Sequence, residues 1–261
     1  MITLIQGVPG CGKTHEIVES VASGDLVVTA TRVTKLDVEE RLRCKRLDVP
    51  VRTCDSVLIN GPPANITGSV YFDEALMVYA GDIVALSVVV NHLPMRLFGD
   101  LRQIPYINRT NLPCVKHLIK DLLLPGNIDY RNVSYRIPRD IAARIYDVHE
   151  GGVFTTNEII KSTFVVQIST FADVPVEQDV LYLTMKQSDK QVLISNGFPN
   201  VHTVHEKQGC AVQLLKFLWC GCRQKNRNVY TRIKNMHLLL SPGTLNCSGI
   251  SPLNHLFKLT R

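Results

Sequence analysis

The stretch Gly7-Val8-Pro9-Gly10-Cys11-Gly12-Lys13-Thr14 meets every fixed position of the pattern G-x-x-x-x-G-K-[ST]. The apolar run Met1–Gln6 before it has strand character, and Thr14–Ala22 after it has helical spacing. Strand, glycine-rich turn and helix form the context in which this pattern binds phosphate. Glycines let the backbone curl until its N–H groups face phosphate oxygens at the positive end of a helix. Gly7, Pro9, Gly10, Cys11, Gly12, Lys13 and Thr14 are therefore candidate nucleotide contacts. Lys13 is expected to reach the β- and γ-phosphates of ATP, and Thr14 to hold Mg²⁺.

Such a loop needs a carboxylate on another strand for the metal and a group that orients the attacking water. Asp73 and Glu74 end the apolar strand in "GSVYFDEA" and suit these two roles, with Thr14 and Asp73 as the metal ligands. Further strands are expected at Asp25–Thr31, Val51–Ile59 and Pro94–Asp100, with a helix over Val33–Cys44. Strands alternating with helices predict a parallel sheet covered on both faces. A second alternating region follows, with strands near Tyr130–Tyr135, Phe164–Ile168, Asp179–Thr184 and Val201–Val204. The expected division is a lobe over 1–112, a second over 113–209, and a tail over 210–261.

By residue chemistry alone, Gln103 just past a strand is either a γ-phosphate sensor or a surface amide. Arg136 in "SYRIPRD" is either an arginine finger or a surface cation. "HTVHEKQG" (202–209) clusters histidines with a glutamate, but H-x-x-H-E lacks a third zinc ligand, so a polar loop is the better reading. Eight cysteines without a secretory signal suit a reducing compartment and free thiols, and the expected location is cytoplasmic. The apolar run Ile83–Val90 is too short to span a bilayer, so no transmembrane segment is expected.

The order of these pieces resembles the superfamily 1 helicases of alphavirus-like positive-strand RNA virus replicases, those of tobamovirus-like viruses most of all. The carrying residues are "GVPGCGKT" (7–14), "VRTCDS" (51–56), "DEALM" (73–77), "GDLRQIPYINR" (99–109), "YRIP" (135–138), "QSDK" (187–190) and "VHTVHEKQG" (201–209). The resemblance covers most of residues 1–209. It implies an α/β P-loop NTPase of two RecA-like lobes with mainly parallel sheets, ATP and Mg²⁺ between them, and single-stranded RNA across them. It also implies that Lys13, Asp73, Glu74, Gln103 and Arg136 are catalytic and that Gln208 and Gly209 face the nucleotide. Arg32, Asp55, Arg109, Thr203 and His205 are implied RNA contacts, and other replicase domains are implied partners. Because the family carries segments ahead of this loop, the chain reads as a fragment or a shortened derivative. The alternatives are an NTP-dependent RNA-binding or movement protein, and a non-catalytic nucleotide- or RNA-binding remnant.

After Gly209 the resemblance breaks. Residues 210–261 hold eight of the 29 Lys and Arg and no Asp or Glu, leaving 21 basic against 23 acidic groups in residues 1–209. Such a step ordinarily marks a basic nucleic-acid-binding tail. The genetic code offers another account. Taking the third base of each codon with the first two of the next, Leu218–Cys222 admits Val-Val-Arg-Leu. Asn235–Ile250 likewise admits His-Ala-Leu-Val-Ala-Leu-Ser-Arg-His-Thr-Glu-Leu-Phe-Arg-Tyr. Both are family motifs absent from the chain as written. The tail thus reads as out of frame from about Cys210, and it is expected to stay off the second sheet and leave that lobe without its last strands.

Overall fold

The computed structural model describes residues 1–103, 123, 125–168, 173–178, 180–204, 206, 211–220 and 228–237. They fall into two compact units, Met1–Asn132 and Val133–Arg261. The first contains β1 (Ile2–Gly7), α1 (Lys13–Ser20), β2 (Leu26–Thr29), α2 (Arg32–Cys44), β3 (Val51–Thr53), α3 (Cys54–Asn60), β4 (Val70–Asp73), α4 (Ala80–Val89), β5 (Met95–Gly99) and β6 (Ile128–Arg131). Its six strands lie in the order β3-β2-β4-β5-β1-β6, and every pairing is parallel.

Successive strand residues point to opposite faces, and the core divides accordingly. Ile5, Val27, Tyr71 and Phe98 pack with Ile17 and Val18 of α1 and Val38 and Leu42 of α2. Their neighbours Leu4, Val28, Phe72 and Leu97 pack with Val57 of α3 and with Ile83 and Leu86 of α4. Burying each such side chain is worth roughly 1.5–3 kcal/mol, so the doubly covered sheet carries the core of this unit. The run Ile83–Val90 falls on α4 and its C-cap, and no described helix is long and apolar enough to cross a membrane.

One expectation is corrected here. The strand predicted over Val51–Ile59 stops at Thr53, and α3 follows. Thr53 Oγ1 accepts from Ser56 N at 3.3 Å and caps that helix, while Gly61 ends it at φ 80°. A short apolar run such as Val57–Ile59 fits either period, so the caps decide. The stretch predicted as a strand near Tyr130–Tyr135 holds the end of β6, which pairs with β1 through Leu4↔Ile128 to Gly7↔Arg131, and a separate short strand at Val133–Ser134. The first compact unit runs to Asn132, and the boundary expected near 112 lies outside the described residues.

The second unit opens with the parallel pair β7 (Val133–Ser134) and β8 (Phe154–Thr155), with α5 (Arg139–Arg144) between them in sequence. A five-stranded sheet follows, built from β9 (Thr163–Ile168), β10 (Leu181–Thr184), β11 (Val201–Thr203), β12 (Ala211–Cys220) and β13 (Asn228–His237), in the order β11-β10-β12-β13-β9. Helix α6 (Gln187–Ser195) connects β10 to β11. Around Tyr182 cluster Val174, Val180, Leu193, Phe198 and Val201, with Tyr182 and Phe198 edge to face at 5.0 Å. The sheet is mixed, since β10 pairs in parallel with β11 and β12 while β13 runs antiparallel to β12 and β9.

The expectation that the tail would stay off the second sheet is overturned for 211–220 and 228–237, which are paired strands. Ladder hydrogen bonds come from backbone groups that every non-proline residue carries. A run such as Val212–Trp219, rich in apolar and aromatic residues, has the strand propensity to use them whatever its coding history.

Candidate functional site

In a parallel sheet the carboxyl ends of all strands share one edge, and ligands bind there. At that edge of the first unit lie the loop after β1, Arg32 after β2, Asp55 after β3, Asp73 and Glu74 at β4, and Asp100 and Gln103 after β5. Positions up to 96 residues apart in the chain thus reach one rim through topology alone, from Gly7 to Gln103.

The loop is tightly built. Cys11 N donates to Val8 O at 3.2 Å and Val8 N to Arg131 O at 2.9 Å. A Cβ on Gly7 would stand 2.3 Å from Cys11 Sγ, so the first glycine is required by close approach. Gly10 and Gly12 have φ of 75° and 91°, which side chains other than glycine rarely adopt. Pro9 and Cys11 are buried within the turn. Gly12 is the N-cap of α1 and offers no side-chain cap, and nothing lies within 4 Å of where its Cβ would be. An uncapped helix start with open space beside a backbone-only residue is the shape that a phosphate fits.

Lys13 is buried and donates to Gly7 O at 2.8 Å and Val8 O at 3.3 Å. Burial works against its charge, but the Cys11 sulfur once ionised and the carboxylates Glu74, Asp100 and Asp73 outweigh it and raise the lysine pKa. It is therefore an ammonium at neutral pH. Burial pushes the Cys11 thiol up, so this group stays neutral there.

Thr14 Oγ1 donates to Asp73 Oδ2 at 2.8 Å. Asp73 is fully buried, and that burial raises its pKa against the pull of Thr14 and Lys13. Glu74 N donates to Asp73 Oδ1 at 3.1 Å, and Glu74 sits in the left-handed region at φ 53°. For a non-glycine residue such a conformation costs on the order of 1 kcal/mol or more. Burial pushes Glu74 up to about 7, with Lys13 opposing and Asp73 and Asp100 assisting. Three carboxyl groups crowd one ammonium, and the rise of Asp73 and Glu74 shows that further positive charge here would be stabilised, which favours a divalent cation. The paired oxygens of Thr14 and Asp73 are the hard donors that Mg²⁺ takes, and it characteristically uses one or two protein oxygens beside phosphate. No group of three His, Cys, Asp or Glu suited to a metal occurs among the described residues, in keeping with so sparse a donor set.

Gln103 is buried and held by Asp100: Nε2 donates to Oδ2 at 3.3 Å, and Gln103 N donates to Asp100 O at 3.2 Å. Asp100 was not singled out by sequence reading. The signal was present, since it ends an apolar strand as Asp73 does. Arg32 and Asp55 are exposed in the first turns of α2 and α3.

In the second unit, the backbone around Arg136 is fixed. Buried Ser134 Oγ accepts from Arg136 N at 3.2 Å and Ile137 N at 3.0 Å, while Asn157 Nδ2 donates to Arg136 O at 2.9 Å. The Arg136 side chain is exposed on this turn. Thr203 is buried at the end of β11, where its N–H donates to Glu206 Oε2 at 2.9 Å. Gln187 and Lys190 at the start of α6 also bond Glu206, at 2.9 and 2.8 Å. Burial opposes the charge on Glu206, but these hydrogen bonds outweigh it and bring the carboxyl down to about 2. Glu206 as a hub was missed because two of its partners, Gln187 and Lys190, lie a helix away in sequence. Arg109, His205, Gln208 and Gly209 lie outside the described residues.

A glycine loop at a parallel sheet's carboxyl edge, with a buried lysine, a hydroxyl–carboxylate pair and a raised glutamate, defines the class of P-loop nucleotide-binding α/β proteins. The family model of the viral superfamily 1 RNA helicase core domain matches residues 3–218. Over 219 residues the chain is 35% identical to the replicase large subunits of Tomato mosaic virus (strain S-1) and Pepper mild mottle virus (strain Spain). These matches take in 80% of this chain, and the chain spans about 13% of the length of those curated relatives. Among solved structures it is similar to the PRRSV helicase, with a TM-score of 0.60 at 19% identity over 87% of this chain and 48% of that one. It is also similar to Arterivirus nonstructural protein 10 (helicase), with a TM-score of 0.51 at 18% identity over 84% and 53% of the two chains. At those identities the likeness concerns the fold. The chain belongs to the viral superfamily 1 RNA helicase core family.

Proposed function

We propose that this chain binds ATP with Mg²⁺ at the carboxyl edge of the six-stranded sheet, converts ATP and water to ADP and phosphate, and translocates on single-stranded RNA. The observation that carries this reading is the Thr14 Oγ1–Asp73 Oδ2 bond of 2.8 Å beside the Lys13 ammonium, which joins loop and strand end into one polar centre. Lys13 exchanges its loop carbonyls for phosphate oxygens. Thr14 and Asp73 hold Mg²⁺, which when bound neutralises charge on the phosphates. Glu74, with a pKa near neutrality, takes the proton of the attacking water, and Gln103 orients that water from its Asp100 mount. Arg136 supplies positive charge to the transferring phosphoryl group, and Gln208 and Gly209 face the nucleotide. Arg32, Asp55, Arg109, Thr203 and His205 contact the RNA. The setting is the cytoplasm, beside other replicase domains.

The tail lowers turnover in this reading. The out-of-frame account removes the arginine that the family carries after the position of Gly209, and an arginine finger is worth about a thousandfold or more in phosphoryl transfer. Backbone pairing of 211–220 is compatible with it, because pairing does not restore a missing side chain. Calorimetry with Mg-ATP and phosphate release with and without single-stranded RNA test the two halves separately. Nucleotide binding with slow release is the expected result, and absence of binding ends the reading.

A further inference from the structure

The phosphate loop is tied to the last strand of the first unit at two points. Val8 N donates to Arg131 O at 2.9 Å, and the Arg131 guanidinium pairs with Glu16 in the first turn of α1. Arg131 ends β6, one residue before the units divide between Asn132 and Val133, and five before Arg136. Glu16 also takes Arg96 of β5 at 2.6 Å, and the Arg96 guanidinium stands 5.6 Å from the Tyr71 and Phe98 ring centres. The bond to Glu16, then burial against it and the contact with Asp129, set a raised Arg131 pKa, so the guanidinium keeps its charge. Glu16 thus has one partner that leads toward the unit boundary and one that leads only into the sheet.

We propose that Glu16 and Arg131 form a strut that transmits the state of the phosphate loop to the segment carrying Arg136, both acting as positioning residues. Lys13 now holds Gly7 O and Val8 O. When the ammonium turns to phosphate those carbonyls lose their donor, and residues 7 and 8 re-seat. Val8 N carries that displacement to the Arg131 carbonyl. The ion pair keeps the Arg131 side chain bound to α1, so backbone and helix move together. With the pair intact the displacement reaches β7. Without it, β6 slackens and the displacement is lost. This inference rests on the nucleotide-binding reading above.

The test is amide hydrogen exchange on the full chain, with and without Mg-ATP, read at residues 7–16 and at 131–136. In the wild type, Mg-ATP should slow exchange at both segments, by about tenfold or more at 131–136. Glu16→Gln and Arg131→Gln should keep the protection at 7–16 and lose most of that at 131–136. Arg131→Lys, which keeps the charge, should retain part of it. Arg96→Gln removes the other partner and the ring contacts, so it should lower stability yet leave the response at 131–136 intact. If the wild type shows protection at 7–16 and none at 131–136, the strut is refuted while nucleotide binding stands. Equal loss in Arg96→Gln and Arg131→Gln also refutes it, because the role is then merely structural. No protection at 7–16 in the wild type removes the nucleotide reading and the strut together.

Discussion

Thr14 Oγ1 and Asp73 Oδ2 stand 2.8 Å apart, although 59 positions separate them in the chain. The second residue of the helix after β1 and the last residue of β4 meet because parallel strands bring their carboxyl ends to one edge, with β5 between β1 and β4. Asp73 is fully buried, so its charge is tolerated only through such partners. Substitution Asp73→Asn should therefore leave the fold intact, because its carbonyl can accept from Glu74 N while its amide donates to the Thr14 hydroxyl, which can also accept. It should abolish the Mg²⁺ dependence of ATP affinity, read by calorimetry at several metal concentrations. Unchanged Mg²⁺ dependence would remove Asp73 from the metal site.

Lys13→Ala should weaken Mg-ATP binding by about a hundredfold, since a buried ammonium facing phosphate acts in a partly dry site. It also leaves three carboxylates without their cation, so the variant should be less acid-tolerant in its ATP response but still folded by circular dichroism. Equal ATP affinity in the two proteins would sink the loop assignment.

Glu74 gives a pH prediction in two parts. Its folded pKa of about 7 lies above its ordinary value of 4.5, so the native state holds a proton that the unfolded chain has released across that window. This contribution to stability is fully present below about 4.5 and is lost as pH rises through about 7. Glu74→Gln should remove that slope and melt a few degrees above the wild type at pH 8, with on the order of 2–4 °C per kcal/mol. ATP turnover, which needs the carboxylate as base, should rise with pH through the same region and fall by about a hundredfold or more in the variant. A flat pH profile from 6 to 8 contradicts the role.

Gly7→Ala places a methyl group 2.3 Å from Cys11 Sγ. The expected cost is about 1–3 kcal/mol, as for other overpacked sites. Cys11→Ala in the same chain should return most of it, because the sulfur is the atom struck. Chemical denaturation of the single and double variants checks this, and additive losses would show that the clash lies elsewhere.

Restoring the alternative frame after Gly209 should raise RNA-stimulated ATP turnover by about a thousandfold. Brisk hydrolysis by the present chain, with 211–220 paired as it is, would establish the tail as a genuine end of the second unit.

The shape of the loop Gly7–Thr14 between β1 and α1 was legible because it is built from contiguous residues, and the glycines its turn needs are visible as letters. Asp73, Glu74 and the first sheet's parallel character were legible for a related reason, since strand–helix alternation and strand-end carboxylates are local patterns. Strand membership was less so. β6 lies next to β1 through pairing over more than a hundred positions, and no local period records that neighbour. The helix at Cys54–Asn60 was settled by caps acting on a segment of ambiguous period. Only tertiary structure set the protonation behaviour of Glu74 and the charge of Lys13, because both arise from burial and from partners on other strands. The Glu16–Arg131 pair spans 115 positions and was invisible to sequence reading, since a charge on a helix and another at a strand end carry no mark of each other until the sheet brings them together.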